Sequence, residues 1–97
     1  MVMPRRGPGL PAGFASWTEW GQWLVLDTLR IRAQRRPEAP TVRLRDLARA
    51  LRFPDVLARL HELRAGGLVV CDPEAGWRIT DAGLAALAGP VARPVLR

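Results

Sequence analysis

A chain of 97 residues, 48% hydrophobic and 25% charged, has the length and composition of one small globular domain. It is too short for two domains. No apolar run approaches the ~20 residues of a membrane span, and no apolar signal core follows Arg5 and Arg6, so we expect a cytoplasmic protein. One cysteine excludes an internal disulfide, and with one histidine it does not complete a closed metal site, so we expect neither metal nor cofactor.

The positive charge is concentrated in the middle of the sequence. The formal net charge is +6, and the segment from Arg30 to Arg64 carries all of it, with ten arginines against four acidic residues. The rest of the chain has five arginines and five acidic residues. Such an asymmetry favours a polyanionic partner, because a local excess of positive charge attracts phosphates.

The two ends of the chain are predicted to be irregular. Residues 1–15 contain three prolines and three glycines without a periodic pattern, which predicts a flexible arm. Arg5 and Arg6 on that arm are expected to reach the polyanionic partner. The tail, residues 90–97, contains Pro90 and Pro94. The folded domain is therefore expected to cover residues 16–89.

A long first helix is predicted from Trp17 to Arg36, with Ser16 and Glu19 as a capping box and Pro37 as its stop. It carries two apolar stripes at helical spacing, which are Trp17, Trp20, Leu24 and Ile31, and then Trp23, Leu26, Leu29 and Ala33. Two apolar faces require two packing partners. We expect Trp23, Leu26 and Leu29 to form a homodimer interface, unless the last helix covers them within one chain.

Two short helices are predicted next, after an extended stretch at 41–43. Apolar residues at i, i+3, i+4 and i+7 predict the first of them, with a face of Leu44, Leu47, Ala48 and Leu51. Pro54 suits the first position of the following helix, whose buried face is expected to be Val56, Leu57, Leu60 and Leu63. Gly66 and Gly67 are expected to end that helix.

A β-hairpin and a last helix complete the predicted elements. Residues 68–72 and 77–80 read as two short strands joined by the turn sequence from Pro73 to Gly76. Thr80 is expected to cap a short helix that carries Leu84 and Leu87 and stops at Gly89-Pro90.

In this order the sequence resembles the winged helix-turn-helix bacterial regulators of the MarR and PadR kind. The resemblance is carried by the segments Leu44-Arg-Asp-Leu-Ala-Arg-Ala-Leu51, Leu60-His-Glu-Leu-Arg-Ala-Gly-Gly-Leu-Val69 and Trp77-Arg-Ile-Thr-Asp-Ala-Gly83. It implies a mainly α domain with a small β-hairpin wing, in which the helix pair binds double-stranded DNA.

The arginines of the first helix of this pair are the predicted phosphate contacts. Arg45, Arg49 and Arg52 recur at i, i+4 and i+7, opposite the leucine face. In a helix-turn-helix this helix crosses the DNA backbone, and guanidinium groups bind phosphate oxygens in a bidentate manner. The alternative is a solvated face on which Asp46 and Glu62 form salt bridges with these arginines.

Base contacts are predicted from the second helix of the pair. Arg59 suits guanine, whereas Asp55 or Glu62 suits the amino group of cytosine. Arg78 is the cation of the wing, whose turn also carries Asp72 and Glu74. The two acids on the helix and the two on the wing disfavour close approach to phosphate.

The sequence therefore predicts a DNA-binding transcriptional regulator. The alternative is a protein-interaction domain that docks through the Trp-rich first helix without specific DNA binding. We expect no enzyme, because the only serine, Ser16, is a helix cap and the sequence has neither a phosphate-binding glycine loop nor a catalytic arrangement.

Overall fold

Four helices and one hairpin follow one another in the computed structural model, which describes residues 13–88. The helices are α1 (Trp17–Arg35), α2 (Leu44–Leu51), α3 (Val56–Ala65) and α4 (Asp81–Leu87), and the antiparallel strands are β1 (Val69–Asp72) and β2 (Gly76–Ile79). The prediction of a mainly helical chain with a small hairpin is confirmed. Most of the predicted arm, all of the predicted tail and the Gly89-Pro90 stop lie outside the described residues. In the described part, no helix combines the length and the apolar character that crossing a membrane requires.

The start of α1 is fixed by side chains near its first turn. The Ser16 hydroxyl accepts a hydrogen bond from the Glu19 N–H at 3.1 Å, as predicted. The Glu19 carboxylate accepts from the N–H of Ala15 at 2.6 Å, one residue before the N–H that a capping box uses. Both bonds satisfy backbone donors near the helix end. The helix ends at Arg35, one residue before the predicted end.

The middle of α1 is the centre of the hydrophobic core. Val25 and Leu29 are completely buried, and they share one cluster with three further completely buried residues, Leu47 of α2, Leu60 of α3 and Val69 of β1. Each such side chain contributes about 1.5–3 kcal/mol through burial. Because α1 contacts α2, α3, β2 and α4, every other layer of the fold is arranged around it.

The two-stripe interpretation of α1 is wrong. Leu26 and Leu29 belong to the core of a single chain, with 5% and 0% exposure, so they do not face a second subunit. Leu87 of α4 lines one cavity together with Leu26 and Trp23, which is the coverage within one chain that the sequence left open. Trp23 is half-buried against Phe14, with ring centroids 5.8 Å apart. Association of two copies stays a prediction.

The connection between α2 and α3 differs from the predicted one. Arg52 ends α2 in the left-handed conformation, with φ of 59°, and its N–H donates to the Ala48 carbonyl at 3.0 Å. Helix α3 begins at Val56, so Pro54 lies before the helix rather than at its first position. Leu57 is 43% exposed and not part of the buried face, because Val56, Leu60 and Leu63 already set which side of α3 faces the core.

A glycine-dependent cap leads from α3 into the hairpin. Gly67 has φ of +77°, which glycine adopts without a steric penalty. Its N–H donates to the Arg64 carbonyl at 2.9 Å, and the N–H of Leu68 donates to the Leu63 carbonyl at 2.9 Å. These are the two bonds of a Schellman motif. The predicted end of this helix is confirmed, with Gly67 as the left-handed residue.

The hairpin is tied to the segment before α2 and to α4. Val42 and Trp77 exchange two backbone hydrogen bonds of 2.8 Å, so the extended stretch predicted at 41–43 exists as an isolated bridge. The Thr80 hydroxyl accepts from the Gly83 N–H at 3.0 Å and donates to the Gly67 carbonyl at 2.7 Å. Thr80 is thus the predicted cap of α4 and also fastens it to the end of α3.

Replacing Gly83 with Ala tests the close approach of α4 to the hairpin. An added Cβ would collide with the Leu68 carbonyl oxygen and lie 2.5 Å from Cγ1 of Ile79. Overpacking of this kind costs about 1–3 kcal/mol, which exceeds the gain in helix propensity. We expect urea denaturation to show a lower free energy of unfolding.

The matched control is Gly21→Ala, a second buried helical glycine. Its added Cβ would lie 3.3 Å from Cδ of the Arg59 side chain, which is able to shift. Its unfolding free energy should stay within about 1 kcal/mol of the wild-type value. Equal losses in both variants would contradict the proposed collision at Gly83.

Candidate nucleic-acid interface

The α2 arginine face consists of Arg45, Arg49 and Arg52. All three residues are exposed, while Leu47 on the opposite side of the helix is completely buried. Arg43, which precedes the helix, is exposed as well. The burial of one leucine side therefore presents the arginines to solvent, as the sequence pattern predicts.

These guanidinium groups have no ion-pair partner among residues 13–88. The ion pairs of the described chain join Arg30 to Asp27, Arg36 to Glu38 and Arg59 to Glu62. Neither the α2 arginine face nor Asp46 takes part in them. Asp46 and Glu62 therefore do not form the salt bridges with this face that the alternative requires. The positive charge of the α2 arginine face is not neutralised by a contacting acidic side chain.

The structure turns Arg59 and Glu62 of α3 toward α1. The Nη2 of Arg59 donates to Oε2 of Glu62 at 2.7 Å, and its Nη1 donates to the Thr18 hydroxyl at 3.3 Å. The Nε of Arg59 also lies 2.7 Å from Oε1 of Glu62, but this N–H is not aligned for a hydrogen bond. Oε1 accepts instead from Nε2 of Gln22 at 2.9 Å. Four side chains thus join α1 to α3.

This network engages Arg59 and Glu62 within the chain and disfavours base contacts from them, so their base-reading role stays a prediction. The Arg59 side chain is only 17% exposed, and its donors are used within the chain. The physical reason is the register of α3, since Leu60 and Leu63 point into the core and place 59 and 62 beside α1. A sequence signal was present in Gly21, whose missing side chain lets the Arg59 stem approach α1.

A different set of α3 residues faces solvent. Leu57, His61 and Arg64 lie at i, i+4 and i+7, and all are exposed, as is Asp55 before the helix. The His61 ring meets Trp77 edge to face, with centroids 5.9 Å apart. Sequence reasoning placed Leu57 in the core and did not select Arg64. The i, i+4, i+7 spacing of these residues indicates a shared helix side. Only the burial of Leu60 and Leu63 determines that this side faces solvent.

The hairpin presents one exposed cation, Arg78, across from Val70. Asp72 shapes the turn, because Oδ1 accepts from the N–H groups of Ala75 at 2.9 Å and Glu74 at 2.8 Å. These bonds, followed by the charge of Arg78, lower the pKa of Asp72 below its ordinary 3.8. The carboxylate is therefore bound to the backbone donors of the turn and keeps its negative charge beside Arg78.

The described residues contain no cluster of side chains that could hold a metal ion. No group of three or more His, Cys, Asp or Glu side chains comes together between residues 13 and 88. Cys71 is exposed on β1. The described residues offer exposed cations and an exposed side of α3.

Comparisons with protein-family models, curated proteins and solved structures return no match. The residues and contacts above are therefore the whole basis for a functional assignment.

The network around Glu62 makes the stability of the fold depend on pH in a defined direction. The hydrogen bond from Gln22, with the hydrogen bond and charge of Arg59, lowers the pKa of Glu62 below its ordinary 4.5 against a smaller opposing effect of burial. A carboxylate with a lowered folded pKa stabilises the protein above its unfolded pKa and loses this effect as pH falls. We expect the unfolding free energy of the wild type to fall more steeply below pH 4.5 than that of Glu62→Gln.

Urea denaturation at a series of pH values measures this difference. Gln22→Ala, which removes the largest cause of the lowered pKa, should bring the wild-type slope part of the way to that of Glu62→Gln. Identical pH slopes for the wild type and Glu62→Gln would show that the network contributes nothing to folding.

Proposed function

We propose that residues 16–89 form a winged helix-turn-helix domain that binds double-stranded DNA and regulates transcription in the cytoplasm. In this assignment α2 and α3 are the helix-turn-helix pair and the β1–β2 hairpin is the wing. The order of elements supports it, as does the bridge from Val42 to Trp77, which seats the hairpin beside the start of α2.

The observation that carries the proposal is the exposed and unpaired α2 arginine face. Two guanidinium groups on one side of α2, with a third at its C-cap residue Arg52, fit the helix that crosses the DNA backbone. Each phosphate that they neutralise releases counterions, so affinity is expected to fall as salt rises. The slope of log affinity against log salt concentration should be about −0.9 per phosphate. The ion-paired arginines of α1 and α3 offer no comparable group of free donors.

Base contacts in this proposal come from the exposed side of α3. Its N-terminal half enters the major groove in this fold, which brings Asp55 and Leu57 closest to base edges, and His61 follows one turn later on the same exposed side. Leu57 suits a thymine methyl group, and Asp55 suits the amino group of cytosine. Arg64 lies in the last turn, where a phosphate contact is expected. Because the exposed side of α3 offers few polar groups to the bases, only modest discrimination between DNA sequences is expected.

Two copies are expected to bind neighbouring half-sites, because two-fold dimers match pseudo-palindromic DNA. Leu84 is 37% exposed and lines one groove with the half-buried Trp23 and Leu87. With Leu26 and Leu29 in the core, this groove is one apolar surface that is available to the predicted dimer.

A protein-interaction domain is the second candidate. It is favoured by Trp17, which is 52% exposed in a groove at the start of α1. Binding to a protein through apolar contacts predicts little salt dependence, in contrast to phosphate binding. An affinity for duplex DNA that is absent, or unchanged between low and moderate salt, would favour this candidate.

The double variant Arg45→Ala/Arg49→Ala tests the phosphate contacts. We expect it to weaken binding to every duplex by a similar factor and to reduce the salt slope by about 2, because phosphate contacts carry no sequence information. Fluorescence anisotropy with several unrelated duplexes at a series of salt concentrations measures both quantities.

The matched control is Arg36→Ala, since Arg36 is exposed but paired with Glu38 at 3.2 Å. It removes one positive charge and should leave the slope nearly unchanged. If Arg36→Ala lowers affinity and slope as much per charge as the double variant does, binding follows net charge and not the α2 arginine face.

The roles of His61 and Arg64 are separated by a second pair of variants. His61→Ala should change discrimination at one base pair by about 1 kcal/mol, at the low end of a single base contact. Arg64→Ala should weaken all sequences equally and lower the salt slope by about 1. Selection from a randomised duplex library, followed by titration of single-base variants, measures both. A reversed pattern would mean that α3 lies in the groove in a different orientation.

A further inference from the structure

An aromatic groove of about 310 Å³ lies between the first turns of α1 and the connection from α2 to α3. We call it the Trp17 groove, and its principal lining residues are Trp17, Trp20, Phe53, Pro54, Asp55 and Arg59. The rings of Trp17 and Trp20 stand nearly perpendicular, with centroids 5.3 Å apart and an interplanar angle of 87°. A ligand in the groove would therefore meet the face of one indole ring and the edge of the other.

The polar groups of the Trp17 groove define what that occupant must carry. The indole N–H of Trp20 is buried and has no acceptor among residues 13–88. The Asp55 side chain makes no capping bond and belongs to none of the ion pairs of the described chain. The Arg59 guanidinium is engaged by Glu62 and Thr18. A suitable ligand therefore combines apolar rings and a cation.

The segment ahead of α1 has this composition at the required spacing. It reads Arg5-Arg6-Gly7-Pro8-Gly9-Leu10-Pro11. A polyproline II helix has three residues per turn and a rise of about 3.1 Å per residue. Arg5, Pro8 and Pro11 would then share one face, at intervals of about 9 Å. Such a helix leaves its carbonyl groups without internal hydrogen bonds, and aromatic-lined grooves recognise such Pro-x-x-Pro segments.

We propose that residues 5–11 bind the Trp17 groove of their own chain as a polyproline II segment. Pro8 and Pro11 pack on the Trp17, Trp20 and Phe53 rings, and Arg5 pairs with Asp55. The segment is a ligand of its own domain in this arrangement, independent of whether the domain binds DNA.

The chain has the reach that this arrangement needs. Phe14 is anchored against Trp23, and Gly13 before it has φ of +96°, a turn conformation that favours glycine. Pro11 and Pro8 precede Phe14 by three and six residues, which span up to about 10 and 20 Å. A helix with its side chains is about 10–12 Å across. The short tether also gives the segment a high effective concentration at the groove.

Two-dimensional NMR of the full chain tests the proposal, with Pro8→Ala/Pro11→Ala as the variant and Pro4→Ala as its matched control. Pro4 lies off the shared face of Arg5, Pro8 and Pro11. We expect cross-peaks between the Pro8 and Pro11 rings and the indoles of Trp17 and Trp20 in the wild type. The double variant should shift the indole N–H signals of Trp17 and Trp20 and leave that of Trp23 in place. Pro4→Ala should move none of the three.

Two further variants test the contacts with Trp17 and with Asp55 separately. Trp17→Ala, at a position 52% exposed, should remove the cross-peaks from the prolines to Trp20 while circular dichroism stays that of the folded protein. Asp55→Asn should shift the Arg5 side-chain signals. Absent cross-peaks, or equal indole shifts in Pro4→Ala, would overturn the proposal. Indole shifts that depend on protein concentration would overturn the assignment to the same chain and place a second copy's segment in the groove.

Discussion

The burial of Leu60 and Leu63 against α1 decides which residues of α3 reach solvent. Both leucines lie in the core cluster with Val25 and Leu29. Because a helix advances about 100° per residue, fixing these two positions also fixes 59 and 62 beside α1 and 57, 61 and 64 outside. The solvent-exposed surface of α3 is therefore a consequence of core packing. A shift of one residue in this packing would move Arg59 and Glu62 away from α1.

Helix α2 illustrates a complementary constraint. With eight residues it is too short to be stable in isolation, so its formation depends on the complete burial of Leu47 against the rest of the domain. The opposite face is then free of packing requirements. Ion pairs there would add only about 0–1 kcal/mol each, so leaving the α2 arginine face unpaired costs the fold little. That freedom is what makes the face suitable for a polyanion.

The sequence predicts those features that depend on neighbours along the chain. Ser16, Thr80 and Gly67 act where local capping rules place them, and the hairpin forms around the turn that begins at Pro73. Arg45, Arg49 and Arg52 are exposed as predicted because one leucine face determines a short amphipathic helix.

What the sequence does not determine is which apolar side faces the core. In α1 nearly every turn has a large apolar residue, so periodicity alone does not select Val25 and Leu29 over Trp17 and Ile31. In α3 four apolar residues compete for one face, and Leu57 is the one left outside. The network of Arg59 with Thr18, Gln22 and Glu62 follows from that choice and spans about 40 positions in sequence. Such contacts depend on tertiary packing and have no local signature.

Asp55 connects the two proposals physically. It stands at the start of α3, where a base contact is expected, and it also lines the Trp17 groove. One carboxylate does not bind a cytosine amino group and the Arg5 guanidinium with full strength at once. DNA that engages Asp55 would therefore weaken the hold on Arg5, and release of Arg5 would add a cation for phosphate. By linkage the effect is reciprocal, so a segment held in the groove would lower the affinity for DNA by the same factor by which DNA weakens its docking.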